Sequence, residues 1–261
     1  MIGQKNNINT LIKWRCNKSV PRFIIISGDI GSGRLTLAKI IIKMINAKGI
    51  IMGNSIAEVR ETIENAYTIT EPTCYIFRNA DDMKNEAKNA LLKVVEEPPN
   101  NAYFIMTVHN IDNMLGTIRS RGTVIKMEPY SRQELESLCN DELLLEYCST
   151  PGQLQIDKKE VKRAEDCADE IIKALIDKSG TKLLKATTKL RAKKAETEKI
   201  DCDLFFRVFQ QRLFHAMQSG LLIINPSILS ECKKELSSNT INKKASIECM
   251  LIRILDEIKG R

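Results

Sequence analysis

Five short apolar runs alternate with amphipathic segments through the first 130 residues of this 261-residue chain. The runs predict strands at 22–27, 49–52, 73–77, 102–108 and 123–127. Between them, helices are predicted at 33–46, 56–67, 83–96 and, for a short one, near Met114. Near-continuous apolar runs are typical of parallel strands that are buried on both faces. The alternation therefore predicts an α/β fold with a doubly wound, parallel five-stranded sheet.

The strand signals end after Pro129, and the rest of the chain has helical periodicity. Ser131 is a candidate N-cap with Glu134 three residues later, which predicts a helix over 131–147. Wholly helical structure is predicted from Lys158, with breaks near residues 179–180, 219–220 and 225–226. Apolar stripes at 204–213 and 247–258 follow helical spacing and predict the core of a helical bundle or an oligomer contact.

Composition limits the classes of function. The net charge of +7, from 40 basic and 33 acidic residues, is compatible with a surface that faces nucleic acid but does not require one. No run reaches the roughly 20 apolar residues of a membrane span, and the polar first ten residues show no secretory signal, so we expect a cytoplasmic protein without a membrane partner. The eight cysteines form no CxxC pair, and we expect idle thiols and no zinc site.

A glycine-rich turn lies between the first predicted strand and the next helix. Gly28 and Gly33 are separated by four residues, and Gly31 lies between them. This context is typical of a phosphate-binding loop, in which backbone N–H groups and the helix N-terminus bind anions. Chemistry with Mg²⁺ and nucleotide also needs a lysine and then a hydroxyl, but these places hold Arg34 and Leu35.

Neither replacement supplies the missing group. Arg34 keeps the charge, but its planar guanidinium differs in shape from an ammonium, and Leu35 has no oxygen. Thr36 comes one position later, which turns it about 100° around the helix and away from a metal. We therefore predict a vestigial loop with no metal site, which requires no cofactor but could keep Mg²⁺-independent binding of nucleotide or phosphate. The alternative is that the glycines serve only a tight turn.

The end of the third predicted strand also lacks groups that such chemistry needs. An acidic pair there normally orders Mg²⁺ and polarises the attacking water, whereas this chain has Arg78 and Asn79. A cation at this position repels Mg²⁺. Asp81 and Asp82 lie beyond the strand, and Asp82 is predicted to be the N-cap of the following helix. Two losses in one site predict that the chain alone does not hydrolyse ATP.

Three segments carry a resemblance to a known family. Residues 89–99 read NALLKVVEEPP, residues 103–106 read YFIM and residues 117–121 read TIRSR, while the chain begins with IGQ at 2–4. These resemble the bacterial clamp-loader subunits of the AAA+ class. With both ATP motifs degenerate, the chain is most similar to the delta-prime class of the DNA polymerase III clamp loader, which does not hydrolyse ATP. The resemblance is strong over about residues 1–130 and weaker beyond.

The resemblance implies a domain organisation and partners. It implies a RecA-like AAA+ domain at 1–129, a small helical lid at 130–157 and an all-α collar at 158–261 that mediates oligomerisation. Expected partners are the ATPase subunits and the delta subunit in a hetero-pentameric ring, the sliding clamp, and primed DNA through the complex. The expected role is in DNA replication, as a subunit of a polymerase holoenzyme that is no enzyme on its own.

Within this resemblance, Arg121, together with Ser120, aligns with the Ser-Arg-Cys motif. Arg121 is then an arginine finger that acts in trans on ATP bound to a neighbouring subunit, where it stabilises charge in the transition state. Gly122 replaces the cysteine of the motif, which we expect to be tolerated. The linker at 46–48 leaves no room for the zinc module of many relatives, and His109 receives no catalytic role.

Two other functions remain open from the sequence. The chain could be an active ATPase of a clamp loader or helicase loader that uses Arg34 and Thr36 atypically. It could also be a stand-alone DNA-binding adaptor, because residues 182–199 carry seven Lys or Arg against two Glu. Such a charged run is also typical of a solvated helix face.

Overall fold

A five-stranded parallel sheet forms the centre of the first half of the chain in a computed structural model that describes residues 2–191, 200–236 and 242–260. Its strands are β1 (Phe23–Ser27), β2 (Lys48–Met52), β3 (Thr73–Phe77), β4 (Ala102–Val108) and β5 (Thr123–Lys126). Their order in the sheet is β2-β3-β4-β1-β5, and every neighbouring pair is parallel. The predicted fold class and all five strands are confirmed, with boundaries shifted by at most one residue.

Six helices accompany this sheet. They are α1 (Lys5–Cys16), α2 (Arg34–Met44), α3 (Ile56–Thr68), α4 (Asn85–Glu96), α5 (Gly116–Arg119) and α6 (Arg132–Glu136). The four helices predicted between the strands are present. Helix α1 was not predicted, because its sequence is rich in Asn and Lys and offers few apolar positions. It is fixed in part by polar contacts: the buried Asn7 donates from Nδ2 to the Lys126 carbonyl at 2.9 Å.

Alternate residues of β1 face opposite layers of the sheet, as the period of two in a strand requires. Phe23 and Ile25 belong to the layer that packs with α3, α4 and α5. Ile24 and Ile26 belong to the layer formed with α1 and α2. The central strands β1 and β3 are buried at every position. Since both layers are apolar, the near-continuous hydrophobic run of β1 is explained.

The outer strand β2 is less buried than expected. Its residues are exposed or half-buried, whereas the sequence predicted burial on both faces. It is an edge strand, paired on one side only with β3, so fewer neighbours cover it.

Two helix boundaries were also wrong. Asp82 does not cap α4: it lies in a 3₁₀ turn, and Lys84 occupies the N-cap position of the helix. The buried Met83 has an extended backbone between the two elements, which prevents a helix from starting there. The helix predicted over 131–147 is two helices, because Asp141 caps a second one by accepting from the Leu144 N–H at 3.2 Å. The predicted capping box of Ser131 and Glu134 is confirmed.

The chain forms two compact units. The first extends to Leu138 and includes Ser149–Gln153, and the second comprises Cys139–Cys148 and the chain from Leu154 onward. Helix α6 therefore lies in the first unit and the next helix in the second. The division into domains at 1–129, 130–157 and 158–261 stays a prediction.

The second unit is helical in its described parts, as predicted. It contains α7 (Glu142–Tyr147), α8 (Lys158–Ile176), α9 (Gly180–Thr187), α10 (Cys202–Gln218), α11 (Ser227–Leu236) and α12 (Lys243–Gly260). The apolar stripes predicted on α10 and α12 are buried in one core. In the basic segment 182–199, residues 192–199 and the side chains at 189 and 191 lie outside the described residues.

None of the helices in the described ranges is both long and apolar enough to span a membrane. All eight cysteines are free thiols, and burial raises the pKa of Cys74 and of Cys232 to about 12. Those two thiols are therefore protonated and unreactive at neutral pH.

Candidate functional site

The predicted phosphate loop connects β1 to α2 at the carboxyl edge of the sheet. Gly28 continues from β1 and donates its N–H to the Val108 carbonyl at 3.1 Å. Gly33 occupies the N-cap position of α2 with φ of 89°, a left-handed conformation that favours glycine. The first N–H groups of a helix have no acceptor within it, so α2 presents donors toward this loop. The local geometry is that of an anion-binding loop.

A later segment of the same unit holds this loop from outside. The Thr150 hydroxyl donates to the Ile30 carbonyl at 2.8 Å, and the Gly152 N–H donates to the Gly31 carbonyl at 3.0 Å. Tyr130 donates from its hydroxyl to the Ser32 carbonyl at 2.9 Å. Three successive carbonyl groups of the loop are therefore bound by the chain itself.

The contact between Gly31 and Gly152 is close. A Cβ at Gly152 would lie 2.5 Å from Gly31 Cα, and a Cβ at Gly31 would lie 2.7 Å from Thr150 Oγ1. Gly31 also has φ of 79°. Only two glycines permit this approach, which explains a glycine at 152 that the phosphate-loop pattern does not require.

Arg34 begins α2 with its side chain partly buried. Burial lowers the pKa of its guanidinium, while Asp81, Asp29 and Asp82 act in the opposite direction. Arg78 lowers this pKa further by charge repulsion. Arg34 Nη1 is buried with no hydrogen-bond partner, as is Ser32 Oγ in the loop. The site thus contains unsatisfied donors in Arg34 and Ser32, and an unsatisfied acceptor in Asp81 Oδ1.

The two residues after Arg34 do not restore a metal ligand. Leu35 is half-buried and packs against the layer formed by α1, α2 and the sheet. Thr36 is exposed on the first turn of α2.

The positions of the missing acidic pair directly follow β3. Arg78 is exposed, and Asn79 has a left-handed backbone with φ of 49°. The Asn79 N–H donates to Thr107 Oγ1 at 3.1 Å, and Asn54 Nδ2 donates to the Arg78 carbonyl at 2.8 Å. These residues are held by polar contacts, but they bring a cation and an amide where Mg²⁺ needs carboxylates.

Asp81 connects the ends of β3 and β4. Its side chain is 1% exposed, and its Oδ2 accepts from the backbone N–H groups of His109 and Asn110 at 3.0 and 3.1 Å. Burial raises the pKa of Asp81, but the hydrogen bonds from His109 and Asn110 outweigh it and hold the pKa below its ordinary value. Asp81 therefore remains a carboxylate that fixes the loop after β4.

Asp81, Asp82 and His109 are the one group of potential metal-ligand side chains found among the described residues. Their ligand atoms lie within 4.8 Å of one another. Asp81 Oδ2 accepts from two N–H groups, whereas Asp81 Oδ1 is buried without a hydrogen-bond partner. The absence of a metal site stays a prediction.

Arg121 lies between α5 and β5, at the end of the sheet where the parallel strands begin. The phosphate loop lies at the other end, where the strands finish. β5 pairs in parallel with β1, with Thr123 beside Ile24, so Arg121 lies near the amino end of β1 while the loop follows its carboxyl end. At about 3.3 Å per residue, the strand separates the two by roughly 13 Å or more. The structure thus brings together the residues of the phosphate loop but does not bring Arg121 to them.

The Arg121 side chain forms local contacts. Nη2 pairs with Glu96 Oε1 at 3.1 Å, and Nη1 donates to the Thr117 carbonyl at 2.9 Å. Ser120 is exposed and donates from Oγ to the same carbonyl at 3.1 Å. A Cβ at the adjacent Gly122 would lie 2.8 Å from Ile25 Cδ1. Glycine at this position therefore leaves room for the Ile25 side chain of β1.

Comparisons with known proteins agree with this architecture. The family described as DNA polymerase III, delta subunit, matches residues 41–131. DNA polymerase III subunit gamma of Buchnera aphidicola subsp. Schizaphis graminum is 24% identical over 166 residues, which cover 52% of this chain and 46% of that protein. Replication factor C subunit 3 of Schizosaccharomyces pombe is 25% identical over 163 residues, which cover 57% and 47%. The chain thus spans about half the length of the curated relatives it matches.

A solved structure shares the fold. The DNA polymerase III gamma subunit-related protein of Thermotoga maritima superposes with a TM-score of 0.51 at 16% identity, covering 95% of this chain and 99% of that one. The family match over residues 41–131 includes residues 89–99 and 117–121 and confirms the resemblance predicted from them.

Sequence reasoning missed two residues that hold the candidate site residues in place. Glu96 was read only as part of the NALLKVVEEPP motif, yet it is the ion-pair partner of Arg121. Lys88, directly before this motif, is buried and donates from Nζ to the carbonyl groups of Asp81 and Asn113, both at 3.0 Å. A lysine at a core position of an amphipathic helix was the available signal for the second.

Replacement of Gly152 tests the contact that holds the loop. We expect Gly152→Ala to lower the free energy of unfolding by about 1–3 kcal/mol, because its Cβ collides with the Gly31 backbone. Urea unfolding followed by circular dichroism measures this change. Gly116→Ala is the control, since no heavy atom lies within 4 Å of the added Cβ. Equal stability of the two variants contradicts the close contact.

Asp81 predicts a dependence of stability on pH. Because its pKa in the folded state lies below the ordinary 3.8, the carboxylate stabilises the fold at neutral pH, and this contribution is lost as the pH falls through the folded-state pKa. We expect Asp81→Asn to cost about 1–3 kcal/mol near neutral pH and less at acidic pH. Urea unfolding at both pH values measures the difference. The exposed Asp112→Asn is the control, and a pH-independent cost for Asp81→Asn contradicts the assignment.

Proposed function

We propose that the chain is a non-hydrolysing, delta-prime-like subunit of the DNA polymerase III clamp loader, acting in DNA replication. In this role it helps to load the sliding clamp onto primed DNA and contributes Arg121 to the ATP site of a neighbouring subunit. The observation that carries the proposal is the position of Arg121: it is exposed at the sheet edge opposite its own phosphate loop. A cation in this place can reach a phosphate only on another molecule.

Loss of ATP hydrolysis in the chain's own site follows from electrostatics. Hydrolysis needs Mg²⁺ to neutralise the developing phosphate charge and a carboxylate to orient the attacking water. Arg34 and Arg78 are both positive, and Arg78 acts unfavourably on Arg34 already. A divalent cation at the loop meets repulsion from these two arginines, which opposes the attraction of Asp29, Asp81 and Asp82. We therefore expect no Mg²⁺-dependent step in this loop, while an anion without metal remains compatible with its unsatisfied donors.

The local contacts of Arg121 are weak enough for its side chain to leave them and bind a phosphate of a neighbouring subunit. Its ion pair with Glu96 joins side chains that are 32% and 55% exposed. Ion pairs at such sites contribute only about 0–1 kcal/mol, so a phosphate group can replace Glu96 at little cost. The fork-shaped guanidinium can then donate two hydrogen bonds to phosphate oxygens. In the transition state, this arrangement stabilises charge that builds on the transferred group.

The partners belong to the same proposal. They are clamp-loader ATPase subunits and a delta subunit in a hetero-pentameric ring, together with the sliding clamp, and primed DNA reached through the complex. The matches to gamma subunits and to a replication factor C subunit support this choice of partners, although each covers about half of those proteins. We propose a cytoplasmic location on the same grounds.

The first test of the proposal is ATP turnover by the purified chain. We expect no Mg²⁺-dependent phosphate release above background, because the loop lacks metal ligands. The measurement is a coupled phosphate assay, with a hydrolysing clamp-loader subunit as positive control. Turnover that disappears in Arg34→Ala would instead favour the alternative of an active ATPase with an atypical loop.

The second test is removal of the finger in the reconstituted complex. With clamp, delta subunit, ATPase subunit and primed DNA present, we expect Arg121→Ala to slow hydrolysis at the adjacent site by about 10³-fold while assembly is unchanged. The matched control is Arg119→Ala, an exposed arginine two residues away that pairs with Asp112 at 2.8 Å. The finger assignment is wrong if both variants hydrolyse ATP at the wild-type rate in an intact complex.

A further inference from the structure

An apolar groove lies between α1 and α2, on the surface of the layer that these helices form with the sheet. Its volume is about 460 Å³. Aliphatic side chains from both helices line it: Ile8, Leu11, Ile12, Leu37, Ile40 and Met44. Ile12 is 54% exposed and Ile40 is 37% exposed, so the groove presents apolar surface to solvent. Neither the phosphate loop nor Arg121 uses this surface.

The charge around the groove is of one sign. Arg15 and Lys43 complete its lining, one from each helix. Together α1 and α2 carry six basic residues and no acidic residue, although the whole chain has 33 Asp and Glu. Within the described residues, neither Arg15 nor Lys43 is recorded in a salt bridge. The groove is therefore an apolar floor with unneutralised cations at its rim.

From this combination we propose that the groove binds an acidic, amphipathic helix of a partner protein. In recognition of this kind, an apolar helix face lies in a hydrophobic groove, with anchors at i, i+3 or i+4, and i+7. Helix α1 has 12 residues, about 18 Å at 1.5 Å per residue, which matches roughly three turns of a partner helix. Glu or Asp beside the anchors would pair with Arg15 and Lys43, and these rim charges would mainly set association rate and specificity.

Other occupants fit the groove less well. A second copy placed symmetrically would bring Arg15 and Lys43 against the same cations, which is repulsive. Single-stranded nucleic acid binds through stacking of bases on aromatic side chains, and the lining residues include none. An anionic lipid surface takes a projecting apolar face, whereas here the apolar side chains line a concave groove.

The test uses the purified chain and a fluorescein-labelled peptide of 16 residues, with leucines at helical spacing and glutamates on both sides of the stripe. Fluorescence anisotropy is expected to show saturable binding that weakens with salt. We expect Ile12→Asp to raise Kd at least tenfold, and Arg15→Glu combined with Lys43→Glu to do the same. The control Ile51→Asp alters an isoleucine of matched exposure, 53%, outside the groove and should leave Kd within twofold. Thermal melts verify that each variant is folded.

A scrambled peptide of the same composition separates helix recognition from simple charge attraction. Equal binding of the two peptides, or wild-type affinity of Ile12→Asp, overturns the proposal. It is also overturned if the first peptide does not bind the wild-type chain; self-association, or binding of anionic vesicles or an oligonucleotide, that depends on Ile12 then identifies the other occupant. No ATP or clamp-loader partner enters the experiment, so its failure is distinguishable from failure of the proposed function.

A second readout locates the bound peptide on the native chain. Cys16 follows Arg15 at the end of α1 and is exposed, and the exposed Cys249 on α12 serves as internal reference. Iodoacetamide labelling followed by mass spectrometry should show peptide-dependent protection of Cys16 of at least threefold and none of Cys249. Binding without protection of Cys16 places the peptide elsewhere and contradicts the groove as its site.

Discussion

Parallel hydrogen bonding between β1 and β5 fixes the position of Arg121 relative to the phosphate loop. In a parallel sheet all carboxyl ends lie at one edge, and β1, β3 and β4 deliver the phosphate loop, Asn79 and His109 there. The same rule places the turn before β5, and Arg121 with it, at the other edge. The separation of the loop from Arg121 is therefore a property of strand direction. No rotation of side chains can remove it.

Strand positions were predictable because buried parallel strands have a strong compositional signal. The runs at 73–77 and 102–108 were predicted without error, since both faces of β3 and β4 are covered and nearly every position is apolar. Helix α1 escaped prediction because polar contacts, such as that of Asn7 with the Lys126 carbonyl, help to fix it. Likewise, the start of α4 depended on the burial of Met83, a tertiary effect that local capping signals at Asp82 do not contain.

The candidate site was predictable in its residue types but not in its contacts. Gly28, Gly33 and Arg34 lie close in sequence, so the loop could be recognised from a short motif. The hydrogen bond from Thr150 to Ile30 spans 120 residues, and the Arg121–Glu96 pair spans 25. Such contacts depend on how distant segments pack, and a single sequence carries no signal for them. The need for glycine at position 152 is explained only by its contact with Gly31 in the folded chain.

The loop region keeps its shape through partners from within the protein. Thr150 and Gly152 bind the loop carbonyls, and Asp81 binds the N–H groups after β4. These internal bonds need no ligand, so the chain itself supplies contacts that order the carboxyl ends of the strands. An ordered edge in turn keeps β1 and β5 in register. That register determines where Arg121 is presented, so the contacts that order the loop and the position of Arg121 are connected through β1.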